Sequence, residues 1–319
     1  MTRIGTEVNQ AKHVLASGGL VAIPTETVYG LAGNGLNVSA VTRIFEAKRR
    51  PFFDPLILHI GSIEQLSPLV TNVPPALQTL MEAYWPGPLT VLLPKSINVP
   101  DLVTSGQPRV AIRMPNHPLA LSLLQSIDFP LAAPSANPFG YVSPTTAQHV
   151  AHQLGTEVDY ILDGGPCSVG LESTIVGMEQ GDVVVYRKGG LPTEDIEYLI
   201  GPIRILDVSS SQPQAPGMLL KHYAPRVAVV WLADWTGPLD STTGYLGFDH
   251  PHESIPSENQ MILSPTGDLR EAAHHLFAYL REMDTWPIQV ILVEKVPDHG
   301  LGKAINDKLI RATARPKKA

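Results

Sequence analysis

The stretch VTRIFEAKRRPFFDPLILHI, from Val41 to Ile60, carries a helix pattern and a strand pattern on either side of one proline. Val41, Ile44 and Phe45 line one face at helical spacing, Pro51 closes that helix, and LILHI reads as a short buried strand. The same cycle opens the chain: Val8, Ala11, Val14 and Leu15 recur at helical spacing, Gly18 and Gly19 stop them, and LVAIP follows as a strand. Two such cycles predict an α/β fold. Further strands are expected at LTVLL, VAIR, PLAA, STIV and VVVYR, with helices near residues 76–84, 118–126 and 145–154. Strands this short and numerous favour a twisted mixed sheet over a strict βαβ array. Periodicity vanishes in DVSSSQPQAPGMLLKHYAPR, residues 207–226, where Ser, Gln, Pro and Gly cluster as in a linker. Beyond it VAVVWL, GYLGF, MILS, an amphipathic helix over about 269–283, VILVE and a last helix over about 303–313 alternate as in a smaller Rossmann-like parallel α/β domain. The expected division is 1–205, 206–226 and 227–319.

Composition narrows the function classes. At 319 residues the chain exceeds the usual single-domain range of roughly 100 to 200. Its 23 Lys+Arg against 30 Asp+Glu give a formal charge of −7, which argues against a broad basic surface and leaves room for one local basic pocket. The single cysteine, Cys167, can form neither an intrachain disulfide nor a cysteine-based zinc site, and suits a reducing compartment. MTRIGTEVNQAKHVL lacks the apolar core of a signal peptide, and no run approaches the roughly 20 apolar residues that span a bilayer. A cytoplasmic protein without membrane contact is expected.

Neither standard phosphate loop is present: no G-x-x-x-x-G-K-[ST] occurs, and AGNGLN lacks the third glycine of a dinucleotide fingerprint. In PTETVYG, residues 24–30, small hydroxyls follow a strand and either face a ligand crevice or cap the next turn. Lys48, Arg49 and Arg50 sit at a helix C-terminus, where cations complement the macrodipole; turned inward, Lys48 and Arg50 would instead hold one anion. Arg113 ends the apolar strand of RVAIRMP, and burying it demands a partner, either a ligand carboxylate or one of the chain's own acids. In APSANPFGYVSPTTA, residues 133–147, Ser135 and Asn137 follow a strand and Ser143 precedes a helix as an N-cap candidate; such a loop suits an oxyanion and also an ordinary turn. Ser173 of ESTIV enters a strand and Arg187 of YRKGG leaves one. His149 with His152, and His250 with His252, lack a convincing third ligand, so no protein-held metal is expected.

In this order, PTETVYGL, KRRPFFDPLILHI, RVAIRMPNHP, APSANPFGYVSPT, ESTIV and RKGG resemble the YrdC-type threonylcarbamoyl-AMP synthases over about residues 5–205. APGMLLKHYAP looks like that family's linker, and AAHHLFAYLREMD with GLGKAINDKLIRA looks like the added domain of its longer, two-domain members. The resemblance implies a YrdC-like catalytic domain, a linker that forms a lid over the active site, and a C-terminal α/β domain. It implies a nucleotidyltransferase that joins L-threonine, bicarbonate or CO2 and ATP into L-threonylcarbamoyl-AMP. Pyrophosphate is the other product, and Mg²⁺ enters with ATP. This reaction is the first step of threonylcarbamoyladenosine modification of tRNA.

Carried over by motif, Lys48 and Arg50 would hold the phosphates through catalysis, aided by Ser135, Asn137 and Ser143. Arg187 would contact the nucleotide, joined by Asp54 and the backbone of Arg109. Thr27, His59, Arg113, Ser173 and the backbone at Ala133 would hold L-threonine, while His222 and Tyr223 would close the lid. Asp54 departs from the Asn of many members and puts a negative charge near the triphosphate; Arg109 stands where a small hydroxyl residue is common. Arg49 receives no role and is expected in solvent. The implied partners are a downstream tRNA threonylcarbamoyltransferase that receives the adenylate and a weak tRNA or double-stranded RNA contact. Two other readings compete, an RNA-binding protein without catalysis and a carbamoyl transferase with another acceptor; the net charge and the linker favour the synthase.

Overall fold

The structure is a computed structural model that describes residues 2–206, 215, 218 and 223–314. Eleven strands form its larger sheet: β1 (Arg3–Gly5), β2 (Val21–Ile23), β3 (Gly30–Asn34), β4 (Ile57–His59), β5 (Leu89–Pro94), β6 (Arg109–Arg113), β7 (Leu131–Ala132), β8 (Tyr160–Leu162), β9 (Thr174–Glu179), β10 (Asp182–Arg187) and β11 (Arg204–Ile205). Their order is β1-β8-β2-β3-β7-β4-β6-β5-β9-β10-β11, with parallel and antiparallel neighbours mixed as expected. Around it lie α1 (Val8–Ala16), α2 (Val38–Lys48), α3 (Pro75–Tyr84), α4 (Asp101–Thr104), α5 (Pro118–Gln125), α6 (Ala147–Leu154) and α7 (Thr193–Ile200). The strands split their side chains between two faces. Leu58, Val91, Ile112 and Val176 meet α2 and α3 through Val41, Ile44, Phe45, Leu77 and Leu80. On the opposite face Ile57, Leu92, Ala111, Ile175 and Val184 are covered by Ala215 and Met218 of the linker.

AGNGLN, for which no strand was expected, supplies most of β3, a segment of little intrinsic strand propensity whose small residues fit close packing. A Cβ on Gly33 would stand 3.1 Å from Leu20 Cδ2 and 3.3 Å from Ile44 Cδ1. Ser143 does not cap α6: the N-cap is Thr146, whose hydroxyl accepts from the His149 amide at 3.2 Å. The short outer strands β1, β8 and β11 carried no expectation either.

After the linker, β12 (Ala228–Trp231), β13 (Thr243–Gly247), β14 (Gln260–Ile262) and β15 (Val290–Val293) form a parallel sheet in the order β12-β15-β13-β14. Helices α8 (Leu269–Met283) and α9 (Leu301–Thr313) pack together on one face through Ala273, Phe277, Leu280, Ile305 and Leu309. The other face is covered by Leu232, Trp235, Leu239 and Ile255. The helical core continues into the part of the chain that builds the larger sheet, where it takes in Val28, Val142 and Leu171. Contact is close: at Gly170, with φ +80°, a Cβ would lie 2.6 Å from the Ala273 carbonyl oxygen of α8. Arg281 of α8 crosses the same boundary and donates to the carbonyls of Val142 at 2.6 Å and Ser143 at 3.1 Å.

Candidate active site

The end of α2 sorts the basic triplet. Arg49 takes the left-handed conformation (φ 51°, ψ 40°), and the Arg50 amide returns to the Phe45 carbonyl at 2.9 Å, closing the helix in a Schellman-like turn. This reversal sends Lys48 and Arg50 inward and leaves Arg49 exposed. Lys48 Nζ donates to the carbonyls of Ser135 and Asn137, both at 2.5 Å. A charge-dipole role at the helix end does not account for a lysine that is 1% exposed. Burial pushes its pKa well below the usual lysine range, Arg50 adds to the fall, and Asp54 and Glu172 oppose it. Arg50 donates to the carbonyls of Asp54 at 3.0 Å and Pro55 at 2.7 Å. Its guanidinium also lies 2.9 Å from Asp54 Oδ2, an ion pair without in-line hydrogen-bond alignment. Burial raises the Asp54 pKa and the charge of Arg50 works against the rise.

Strand register builds the second half of the site. In the parallel pair β4–β6, His59 is the neighbour of Arg113, and in the antiparallel pair β5–β6 Arg113 faces Thr90. Arg113 is buried and donates from Nε to the Gly87 carbonyl at 3.2 Å and from a terminal nitrogen to Thr27 Oγ1 at 2.7 Å. Its other terminal nitrogen stands 2.7 Å from Glu26 Oε1, again poorly aligned. The partner that Arg113 requires is therefore one of the chain's own acids, while the guanidinium still borders the cavity. Burial, reinforced by Arg113, lowers the His59 pKa to about 3 and keeps the ring neutral.

Arg187, at the end of β10, donates to the Ser173 carbonyl and hydroxyl, each at 3.0 Å, and Ser173 Oγ meets Thr90 Oγ1 at 2.7 Å. One small cavity of about 50 Å³ is bordered by Arg50, His59, Arg113, Ala133, Ser135, Ser173, Arg187 and Tyr223. Thr27, Asp54, Lys48, Asn137 and Ser143 stand behind this lining, each bonded to it or to the loop that carries it. Asn137 Nδ2 donates to the carbonyls of Pro138 and Tyr141, and the Ala133 amide is committed to Ile57 O at 3.0 Å. Arg109 is not brought to the cavity. At the opposite end of β6 from Arg113, it donates to Tyr186 Oη at 2.8 Å and Met178 O at 3.2 Å, with its guanidinium 5.2 Å from the Tyr186 ring centre. His222 lies outside the described residues.

Sequence reasoning passed over two buried acids, Glu26 and Glu172, one position from Thr27 and Ser173. PTETVYG and ESTIV contained them, but nothing local distinguishes a buried carboxylate from a turn residue. Among the histidines, His250 is grouped not with His252 but with Asp249 and Glu294, whose ligand atoms and its own lie within 4.8 Å of one another just beyond β13 and β15.

Comparison with known proteins fits this arrangement. The Sua5/YciO/YrdC family model, described as telomere recombination, matches residues 13–189, and the model of the threonylcarbamoyl-AMP synthase C-terminal domain matches residues 191–314. The threonylcarbamoyl-AMP synthase of Pyrococcus abyssi is 41% identical over 96% of this chain and 94% of its own length. The chain belongs to the two-domain threonylcarbamoyl-AMP synthase family. The Bacillus subtilis threonylcarbamoyl-AMP synthase is 38% identical over 96% of this chain and 92% of its own. The crystal structure of P. abyssi Sua5 complexed with L-threonine superposes with a TM-score of 0.89, covering 98% of this chain and 97% of that one. In this threonylcarbamoyl-AMP synthase family member no described helix is long and apolar enough to cross a membrane.

Proposed function

We propose that this chain makes L-threonylcarbamoyl-AMP from L-threonine, bicarbonate or CO2 and MgATP, and releases pyrophosphate. The observation that carries the reading is one cavity with two unlike ends. Arg113, flanked by His59 and Thr27, suits an amino-acid carboxylate, and Arg50 and Arg187, backed by Lys48, suit a triphosphate.

Chemically, the threonine amine adds to CO2, forming a C–N bond and losing a proton. A carbamate oxygen then attacks the α-phosphorus as the bond to the bridging oxygen breaks and pyrophosphate departs. The protein's task is alignment and neutralisation of phosphate charge. Neutral His59 can meet a polar threonine atom without competing with Arg113 for the carboxylate. Ser135, Asn137 and Ser143 supply polar contacts on the loop that Lys48 anchors. The charge that Asp54 brings is taken up by Arg50, so Asp54 acts by orienting that guanidinium. Arg109, away from the cavity, serves the sheet through Tyr186 and Met178.

In this reading residues 1–205 form the catalytic domain, 206–226 the lid and 227–319 the domain that holds the lid's far end. The cavity is far smaller than the roughly 300–1,000 Å³ of a small-molecule site, and Tyr223 borders it. Opening at Tyr223 and His222 would admit ATP, and closing would keep water from the mixed anhydride. The protein works in the cytoplasm and passes the adenylate to a tRNA-modifying transferase; any tRNA contact is weak and local. Purified protein with ATP, Mg²⁺ and bicarbonate should release pyrophosphate in an L-threonine-dependent manner. Release at the same rate without L-threonine would refute the reading.

A further inference from the structure

Among the described residues, Glu172 is the one buried acid that borders the cavity directly. Its Oε1 accepts from Ser143 Oγ at 2.5 Å, whereas Oε2 is buried with no hydrogen-bond partner among the described residues. The backbone beneath it is fixed. The Gly190 amide donates to the Glu172 carbonyl at 2.8 Å, and a Cβ on Gly189 would lie 2.2 Å from the same oxygen. A carboxylate oxygen held at a cavity wall without a donor is costly unless a ligand completes it. Beside the phosphates it would repel the substrate, because a carboxylate facing a triphosphate without a cation between them opposes binding.

Two cations could complete it, the ammonium of L-threonine or a divalent metal carried by the nucleotide. Position decides between them. Glu172 is bonded through Ser143 to the loop whose Ser135 and Asn137 carbonyls Lys48 holds, at the phosphate end, and it interacts electrostatically with that lysine. His59, at the other end, has Arg113 as its charged neighbour. Glu172 presents a hard oxygen donor to the cavity, and Mg²⁺ is commonly bound by one or two protein oxygens with phosphate oxygens and water filling the remaining positions. We propose that Glu172, oriented by Ser143, is the protein's ligand to the divalent cation that travels with ATP, making Mg²⁺ a requirement for nucleotide binding here. The inference rests on the synthase reading and deepens it.

The test is calorimetric titration of ATP into the full chain, in excess Mg²⁺ and in EDTA, for the native protein and for Glu172→Gln. The amide of Glu172→Gln would keep the acceptor for Ser143 and lose the charge, so each variant's own ratio of affinities is the readout and partial loss of stability cancels. The native protein should bind ATP roughly tenfold or more tightly with Mg²⁺. Glu172→Gln should bind metal-free ATP at least as well as the native protein and lose most of that enhancement, and Glu172→Asp should retain part of it. An undiminished enhancement in Glu172→Gln overturns the proposal. So does loss of L-threonine binding, measured without nucleotide, with the Mg²⁺ effect intact, since that marks Glu172 as the ammonium partner. Failure of the native protein to bind ATP under either condition would instead remove the synthase reading itself.

Discussion

Lys48 has two tasks, and its substitution separates them poorly. The ammonium would face phosphate, and it also ties Ser135 and Asn137 to α2 through two carbonyls. Lys48→Ala should therefore weaken ATP binding by about 1.5–3 kcal/mol and also lower the melting temperature, because both buried carbonyls lose a charged donor. The two carbonyl bonds are what couple the loss of binding to the loss of stability. Arg113→Gln should leave ATP affinity near native and raise the KM for L-threonine by about tenfold or more, with the excess read from initial rates at saturating ATP. His59 gives a pH signature. Folding holds it neutral down to about pH 3, whereas its ordinary pKa is 6.5, so the unfolded chain binds the extra proton between these values. Stability should thus fall as pH drops through that window, with a slope of up to about 1.4 kcal/mol per pH unit from this group. Urea unfolding of His59→Gln should show a shallower slope. It will not flatten it fully, since burial also lowers His149, to about pH 4.

At the scale of elements, the site depends on where secondary structure stops. The left-handed turn at Arg49 ends α2, the outer ends of β4 and β6 deliver His59 and Arg113, and Gly189 lets the chain after β10 pass against Glu172 and Ser173. Gly189→Ala would set its Cβ 2.2 Å from the Glu172 carbonyl oxygen and 2.5 Å from the Ser173 carbonyl carbon. Backbone opposes backbone there, so no rotamer relieves it, and a loss of about 1–3 kcal/mol is expected in denaturant unfolding. Much of this level was legible, because helix faces such as Val41, Ile44 and Phe45 and strands such as LTVLL declare themselves by spacing and composition. β3 was not, since the glycine at Gly33 is dictated by side chains on other elements, Leu20 and Ile44, that local sequence does not announce. Ser143 failed as a cap for a related reason. Its hydroxyl is claimed by Glu172, a partner 29 residues away.

Over the whole molecule, the second sheet and its helices are built onto the loops of the first. Tyr223 shows the consequence: its ring stacks on Phe277 of α8 at 5.3 Å, lies 5.2 Å from the buried ammonium of Lys308 on α9, and borders the cavity. Arg281→Ala should free the carbonyls of Val142 and Ser143, and hydrogen exchange should quicken in the 141–147 loop before it does in β5 or β6. Order of motifs along the chain conveyed the family and most of the cavity wall. It could not convey that Arg113 already holds Glu26, far away in the chain, or that Glu172 faces the cavity, because such partners are chosen by the sheet order and not by local sequence. The account rests on the carbon that joins the two substrates. Protein incubated with ATP, Mg²⁺, L-threonine and carbon-labelled bicarbonate should yield, by mass spectrometry, an AMP adduct that contains both threonine and the labelled carbon. An adduct of threonine and AMP without the label, or no adduct at all, would contradict it.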